Sequence, residues 1–113
     1  MKIHYRIIHV NGTTTSHTVE TRGDRDAWYP QLLALFHEHF GDDIEMEHVN
    51  VWHNDEYHDM FVNETGAFDG LPVNAAATKI YRANVMAHES SPPDPNDLPA
   101  IYGDAMLFDE RVW

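Results

Sequence analysis

The stretch Gly70-Leu71-Pro72-Val73-Asn74 begins the clearest helix in this 113-residue sequence. Asn74 has a short side-chain oxygen, which accepts a hydrogen bond from the free N–H groups of a first helical turn. Pro72 disfavours a helical backbone at Leu71, so the helix does not begin earlier. The pattern predicts a helix from Ala75 to about His88 with one apolar stripe: Ala76, Ile80, Ala83 and Ala87.

The chain before this helix contains two strand pairs and one further helix. β-branched and aromatic residues in alternation predict strands, and Asn-Gly and Asn-Asp pairs between them predict turns. Gly41 is a typical residue to end a helix. The predicted segments are strands Ile3–Val10 and Thr13–Thr21 around Asn11-Gly12, a helix capped by Asp24 or Asp26 that runs to Phe40, and strands Ile44–Trp52 and Tyr57–Asn63 around the turn His53–Glu56.

After the central helix, Glu89–Pro99 holds four of the six prolines and predicts a surface loop. Ile101–Phe108 predicts a last, deeply buried strand in which Gly103 permits a bulge or a close approach. In Ile44–Trp52 the apolar residues occupy even positions up to Met46 and odd positions from Val49. This change of face indicates a bulge or a strand covered on both faces. The order ββαββαβ predicts a single α+β domain over residues 1–113, with an antiparallel or mixed sheet and two helices packed on one face.

Charge is the strongest compositional feature of the sequence. Nineteen acidic and seven basic residues give a formal charge of −12, and no lysine or arginine lies between Asp26 and Thr78. Direct binding of nucleic acid or of an anionic membrane is therefore not expected, because both need a basic surface. With no cysteine and no apolar run long enough to span a bilayer, we expect a cytoplasmic protein.

The acidic residues predict a surface for a basic protein partner, of the kind that normally holds nucleic acid, as in DNA-mimicking inhibitors. The alternatives are that the charge only keeps the protein soluble or that it suits a high-salt host. The predicted contact face consists of Asp42, Asp43, Glu45, Glu47, Asp55, Glu56, Asp59, Glu64 and Asp69.

A divalent-metal site, structural or hydrolytic, is the competing hypothesis. His53 and His58 flank one predicted turn, and Asp55 can add an oxygen ligand, a donor set that suits Zn or Ni. The spacing matches no established zinc motif, and nine histidines in this chain produce such clusters by chance. We therefore expect solvated histidines and no cofactor.

Other chemistry has less support in the sequence. Asp104 in the last strand needs a partner if it is buried, and Arg82 or Arg111 could pair with it. The serines lack the surroundings of a nucleophile, and the glycines are too sparse for a phosphate loop. The sequence favours a protein that is not an enzyme.

Four aromatic residues near turns or the terminus could anchor a protein partner or close the core: Trp52, Tyr57, Phe68 and Trp113.

Four segments give the second half of the chain a recognisable pattern: Met60–Glu64, Gly70–Asn74, Ala77-Thr78 with Ile80–Arg82, and Ile101–Phe108. Through these segments, about residues 44–113 resemble a small domain family of unknown function that is common in phage and plasmid genomes. The resemblance implies a mobile-element setting and therefore a phage or host protein as partner. It implies no activity, and the acidic first half goes beyond the family pattern.

Overall fold

The computed structural model describes residues 1–88, 94 and 98–112. Over these residues it confirms the α+β class and the order ββαββαβ. Its elements are β1 (Lys2–Ile8), β2 (Thr14–Glu20), α1 (Trp28–Phe40), β3 (Met46–His53), β4 (Glu56–Asn63), α2 (Ala75–His88) and β5 (Ala105–Phe108). Most of the predicted loop Glu89–Pro99, and Trp113, lie outside the described residues. In the described part of the chain, no helix is long and apolar enough to cross a membrane.

The five strands form one antiparallel sheet in the order β2-β1-β5-β4-β3. The last strand in sequence is thus the middle strand in space, and it pairs with β1 and with β4. All four residues of β5 are buried. This agrees with the prediction of a deeply buried final strand, although the ladder begins at Ala105 rather than at Ile101.

The two helices lie on opposite faces of the sheet, so the expectation that both pack on one face is wrong. Phe61 packs with Leu32 and Phe36 of α1, whereas its neighbours Met60 and Val62 pack with Ala77 of α2. Consecutive residues of a strand point to opposite faces, so β4 is covered on both sides. The sheet is therefore the central layer between two helices, and each helix covers its own hydrophobic cluster.

The same arrangement explains why the apolar residues of β3 change from one face of the strand to the other between Met46 and Val49. Its pairing with β4 is continuous from Met46 to His53, so no bulge interrupts it. Met46 packs against the cluster under α1, and Val49 packs against the cluster under α2. Of the two predicted alternatives, the strand covered on both faces is confirmed. The turn after β3 has positive φ at its two central residues, Asn54 (51°) and Asp55 (64°), as a two-residue hairpin turn requires.

Asn74 joins α2 to the sheet and to the segment before β5. Its Oδ1 accepts a hydrogen bond from the Ala77 N–H at 3.1 Å, which confirms it as the helix cap. Its Nδ2 donates to the carbonyls of Ile8 at 2.8 Å and Gly103 at 3.0 Å. Its backbone N–H donates to the Ile101 carbonyl at 2.7 Å. The side chain is fully buried, so each of these bonds is shielded from water.

Gly103 permits the close approach that the sequence predicted. Its φ is 81°, and a Cβ built there would lie 2.9 Å from Leu71 Cδ1. Its N–H donates to the Pro72 carbonyl at 2.8 Å, beside a bridge between Val73 and Tyr102. A side chain at position 103 would displace the Leu71 side chain and would strain the backbone at this positive φ.

The start of α1 differs from the prediction, while its end agrees. A single 3-10 turn, Arg25–Ala27, precedes the helix, and the N-cap position is Ala27 with no side-chain cap. Asp24 and Asp26 therefore do not cap it, because the 3-10 turn moves the helix start past them. Gly41 ends the helix with φ 96°, and its N–H donates to the His37 carbonyl at 3.0 Å.

Candidate functional site

Eight of the nine acidic residues predicted to form a contact face are exposed. Six of them follow α1, begin β3 or follow β4, and we call this set the acidic end: Asp42, Asp43, Glu45, Glu47, Glu64 and Asp69. The N–H of Glu64 donates to the Glu45 carbonyl at 3.0 Å, which joins the two segments. The acidic end is therefore assembled from two segments of the chain, residues 42–47 and 64–69.

Asp55 and Glu56 lie apart from the acidic end. They occupy the turn between β3 and β4, and the eight residues of β3 separate them from Glu45. At about 3.3 Å per residue, this separation is roughly 25 to 30 Å. The predicted contact face is therefore divided into two groups at opposite ends of the β3–β4 hairpin.

Asp59 is not part of any accessible surface, so its inclusion in the contact face is wrong. Its side chain is fully buried, and its Oδ1 lies 2.7 Å from His48 Nε2 and 3.5 Å from Arg111 Nε. Its Oδ2 accepts a hydrogen bond from the Val112 N–H at 2.6 Å. A buried carboxylate needs such partners. Asp59 therefore fastens residues 111 and 112 to the sheet.

The loop from Glu64 to Gly70 presents Phe68 beside the acidic end. The Phe68 side chain is 94% exposed, whereas the loop backbone is held by internal bonds. Asp69 N–H donates to the Thr65 carbonyl at 3.0 Å, and Thr65 Oγ1 donates to Asp69 Oδ2 at 2.9 Å. Leu71 N–H donates to the Gly66 carbonyl at 3.0 Å. Phe68 is thus an exposed aromatic ring on a hydrogen-bonded loop, and of the two alternatives for this residue it does not close the core.

A groove of about 430 Å³ runs from this loop towards α2. Two carboxylate residues, Glu47 and Glu64, and two aromatic residues, Tyr81 and Tyr102, line it. Carboxylates and aromatic faces both attract a lysine or arginine side chain. The groove therefore suits a cationic group of a partner.

Two further aromatic candidates lie at the far end of the β3–β4 hairpin. Trp52 and Tyr57 are partly exposed, at 36% and 40%, and their rings meet edge to face with centroids 4.8 Å apart. They face each other across the β3–β4 ladder as a cross-strand pair. They lie next to Asp55 and Glu56, not next to Phe68.

The structure brings together the two histidines of the predicted metal site. The ring centroids of His53 and His58 are 6.0 Å apart. His58 Nδ1 makes a hydrogen bond of 2.9 Å with the Phe108 carbonyl, so this nitrogen carries the proton and is not available as a metal ligand. Burial lowers the pKa of His53, and the nearby Arg6 guanidinium and His58 lower it further. Asp55 lies exposed in the turn, and the described residues contain no group of three or more ligating side chains placed to hold a metal ion.

Asp104 pairs with His9, so the expected pairing with Arg82 or Arg111 is wrong. Asp104 Oδ2 lies 3.0 Å from His9 Nδ1, and Oδ1 accepts a hydrogen bond from the Val10 N–H at 3.0 Å. Arg82 instead donates to the Leu98 carbonyl at 3.0 Å. Asp104 therefore fastens the end of the β1–β2 hairpin to the segment before β5.

The bonds continue from His9 along the hairpin. His9 Nε2 lies 3.1 Å from Thr15 Oγ1, which lies 2.9 Å from His17 Nε2. The hydrogen-bonded groups of Asp104, His9 and Thr15 follow the order carboxylate, imidazole and hydroxyl, as in a catalytic triad. These side chains are partly or fully exposed, however, and such a triad needs a site that excludes water. We assign this chain of bonds a structural role in the hairpin.

A histidine and tyrosine cluster, which sequence reasoning missed, lies next to this chain. The Tyr5 ring stacks on His17 with centroids 5.1 Å apart, and Tyr5 Oη makes a 2.9 Å hydrogen bond with His39 Nε2. Burial lowers the pKa of His39, and His17 lowers it further. Burial raises the pKa of the Tyr5 hydroxyl, as does Glu38. The predicted two-residue turn at Asn11-Gly12 would have placed Tyr5 opposite Thr18. The observed loop has three residues and pairs His9 with Thr13, which shifts the register by one and brings Tyr5 opposite His17. The position of His39 depends on the packing of α1.

Comparisons of the chain with protein-family models, with curated proteins and with solved structures found no match. The resemblance of residues 44–113 to a phage and plasmid family stays a prediction.

Proposed function

We propose that this chain is a small, non-enzymatic binding protein that occludes a basic surface of another protein through its acidic end. The single observation that carries this proposal is the 94% exposed Phe68 on a hydrogen-bonded loop beside Glu64 and Asp69. Aromatic residues, phenylalanine included, are enriched in protein interfaces relative to the rest of the surface. Negative charge alone keeps a protein soluble, but it does not require an exposed phenylalanine.

The charges and the ring have different roles in this proposal. The acidic end attracts a basic partner over about one Debye length, roughly 8 Å at physiological salt. Phe68 then fills an apolar pocket of the partner, and the groove between Glu47 and Tyr81 receives a lysine or arginine side chain. Basic surfaces that bind nucleic acid fit this description, so bound protein would block nucleic acid in the manner of a DNA mimic.

The resemblance to a phage and plasmid family supports a host protein as the partner. A protein of a mobile element gains from blocking a host nuclease or another nucleic-acid-binding protein. The expected result is therefore inhibition of a host protein rather than a chemical reaction on it.

The test is capture of partners from a host-cell lysate, followed by mass spectrometry and by a nucleic-acid-binding assay of the captured protein. Phe68→Ala should reduce the affinity about tenfold or more, since anchor residues cost at least 1 to 2 kcal/mol when truncated. The free energy of unfolding of this variant should stay within about 0.5 kcal/mol of wild type, because the ring makes little contact within the fold.

A matched pair of charge variants separates a specific face from general electrostatics. Glu45→Gln with Glu64→Gln removes two charges from the acidic end, and Asp55→Asn with Glu56→Gln removes two charges from the opposite end. Only the first pair should reduce capture. Equal losses for both pairs, with no effect of Phe68→Ala, would show that the protein acts only as a general polyanion and would refute the proposal.

A further inference from the structure

The two edges of the sheet differ in how their outward backbone groups are satisfied. At the β3 edge, the Asn84 side chain of α2 accepts a hydrogen bond from the Trp52 N–H at 2.8 Å and donates to the Asn50 carbonyl at 3.1 Å. An added strand would need those same two groups, so Asn84 blocks this edge. At the other edge, β2 pairs only with β1 among the described strands. Exposed edge strands are sites of strand addition unless they are protected.

The register of the β1–β2 hairpin identifies the outward groups. Thr21 N–H donates to the Met1 carbonyl and His9 N–H donates to the Thr13 carbonyl, both at 2.9 Å and both in the continuous register of the hairpin. Hydrogen-bonded pairs alternate along an antiparallel ladder. The odd-numbered residues of β2 therefore bond to β1. The backbone N–H and C=O groups of four even-numbered residues point outward: Thr14, Ser16, Thr18 and Glu20.

Side chains do not protect this edge. The strand from Thr14 to Val19 has no charged residue and no proline, which are the usual protections of an exposed edge. Three of its six residues are threonine, a residue that favours strands. The strand is also long enough, at seven residues, for a regular ladder.

The distribution of charge indicates which partner fits this edge. Residues 1–23 contain three basic residues and one acidic residue, so they carry a formal charge of +2, and the rest of the chain carries −14. A second copy of the chain is repelled wherever two acidic regions face each other. The β2 edge lies four strand spacings from β3, or roughly 19 Å at 4.8 Å per spacing. Two copies that meet at β2 therefore keep their acidic ends apart.

We propose that two copies of this chain associate through antiparallel pairing of their β2 strands, which forms one ten-stranded sheet. A two-fold axis at His17 pairs Ser16 with Thr18 of the second copy, and Thr14 with Glu20 of the second copy. This register uses all four outward residues of each strand, and it keeps the same side-chain face on the same side of the joined sheet. Both acidic ends remain exposed at the outer edges of the dimer. The proposal does not depend on the function proposed for the acidic end.

The test combines sedimentation of the full chain over a range of concentrations with amide hydrogen exchange measured by NMR. In a monomer the amides of Ser16 and Thr18 face water and exchange fast, and those of Thr15 and His17 are protected by β1. The expected result is reversible dimerisation in which the Ser16 and Thr18 amides become protected as the concentration rises.

Ser16→Pro tests the pairing directly. It removes an outward N–H that β1 does not use, and an edge strand tolerates proline at such a position. It should weaken dimerisation roughly tenfold or more, since the dimer loses two symmetric hydrogen bonds. Ser16→Ala is the matched control, because it keeps the N–H and should leave dimerisation unchanged. Thr18→Pro repeats the test at a second outward position if the first variant fails to fold.

Three outcomes would overturn the inference. One is a monomer at all concentrations with fast exchange at Ser16 and Thr18. Another is a dimer that folded Ser16→Pro and Thr18→Pro variants leave intact, which would place the contact elsewhere. The third is protection of these amides only by a strand of a different protein, which would assign the edge to that protein.

Discussion

Replacing Asn74 tests the physical basis of the fold, because this side chain joins α2 to two distant segments. Its Oδ1 caps the helix, and its Nδ2 donates to the carbonyls of Ile8 and Gly103. A helix cap contributes about 1 kcal/mol. Each buried hydrogen bond that is lost costs about 1 to 2 kcal/mol. Asn74→Ala should therefore lower the free energy of unfolding by about 3 to 5 kcal/mol.

Two further variants divide this loss into its parts. Asn74→Ser keeps an oxygen that caps a helix nearly as well, so its loss of about 2 to 4 kcal/mol measures the two amide donations. Asn84→Ala is the matched control, because it also removes an asparagine that bonds to two backbone groups, but at a partly exposed site. Water replaces the lost bonds there, so the cost should be about 1 kcal/mol.

The assay is urea denaturation followed by circular dichroism, with the slope of the transition compared among variants. A loss for Asn74→Ala no larger than that for Asn84→Ala would refute the argument that the buried amide organises the fold. Equal losses for Asn74→Ser and Asn74→Ala would show that the cap contributes nothing. Typical domains have only about 5 to 15 kcal/mol of stability. A stabilising osmolyte in all samples keeps the weakest variant folded.

Three further predictions concern single positions. Gly103→Ala should cost up to about 1 kcal/mol more than Gly41→Ala in thermal unfolding, because both glycines have positive φ but only the first substitution displaces the terminal methyl group of Leu71. His39 should have a pKa below 6.5 by NMR, and this pKa should rise in His17→Asn. The contribution of neutral His39 to stability is fully present above pH 6.5 and is lost as the pH falls from 6.5 through the lower pKa of the folded state. Asp59→Ala should lower the free energy of unfolding by about 3 kcal/mol and speed amide exchange at residue 112, since it breaks a buried charge network.

Local signals in the sequence predicted the local elements well. The capping of α2 by Asn74, the end of α1 at Gly41 and the turn at Asn54-Asp55 all depend on a few consecutive residues. The bonds from the Asn74 amide reach 66 and 29 residues along the chain. No pattern of neighbouring residues specifies such partners, which is why the cap was predictable and the joint with the sheet was not.

The placement of the helices was wrong for a different reason. The run Met60-Phe61-Val62 and the run Ala105–Phe108 are apolar at both parities, which indicates strands buried on both faces. Two helices on one face cannot bury such strands on both sides. The information was thus present in the sequence, and the correct inference was a helix on each face.

The candidate site was predictable in composition but not in arrangement. The exposed carboxylates follow from their number, since the described core has little room for ionised groups. Asp59 is the exception: it lies in the predicted strand Tyr57–Asn63, whereas Asp55 and Glu56 lie in the predicted turn, but no local pattern names the partners that a buried carboxylate needs. Its burial depends on His48 and on residues 111 and 112, which the fold brings over it. The exposure of Phe68 likewise depends on how the loop from Glu64 to Gly70 closes on itself.

The uneven distribution of charge across the sheet relates the acidic end to the β2 edge. The −14 carried by residues 24–113 and the +2 carried by residues 1–23 produce a molecule that is acidic around β3 and β4 and nearly neutral at β2. A dimer through β2 would place two acidic ends at opposite edges of one sheet. Such a dimer binds a partner with repeated basic sites more tightly than one copy does, because the second contact is intramolecular. Ser16→Pro should therefore weaken binding to a partner with several sites and leave binding to a partner with one site unchanged. Equal effects on both kinds of partner would show that the dimer does not strengthen binding through a second, intramolecular contact.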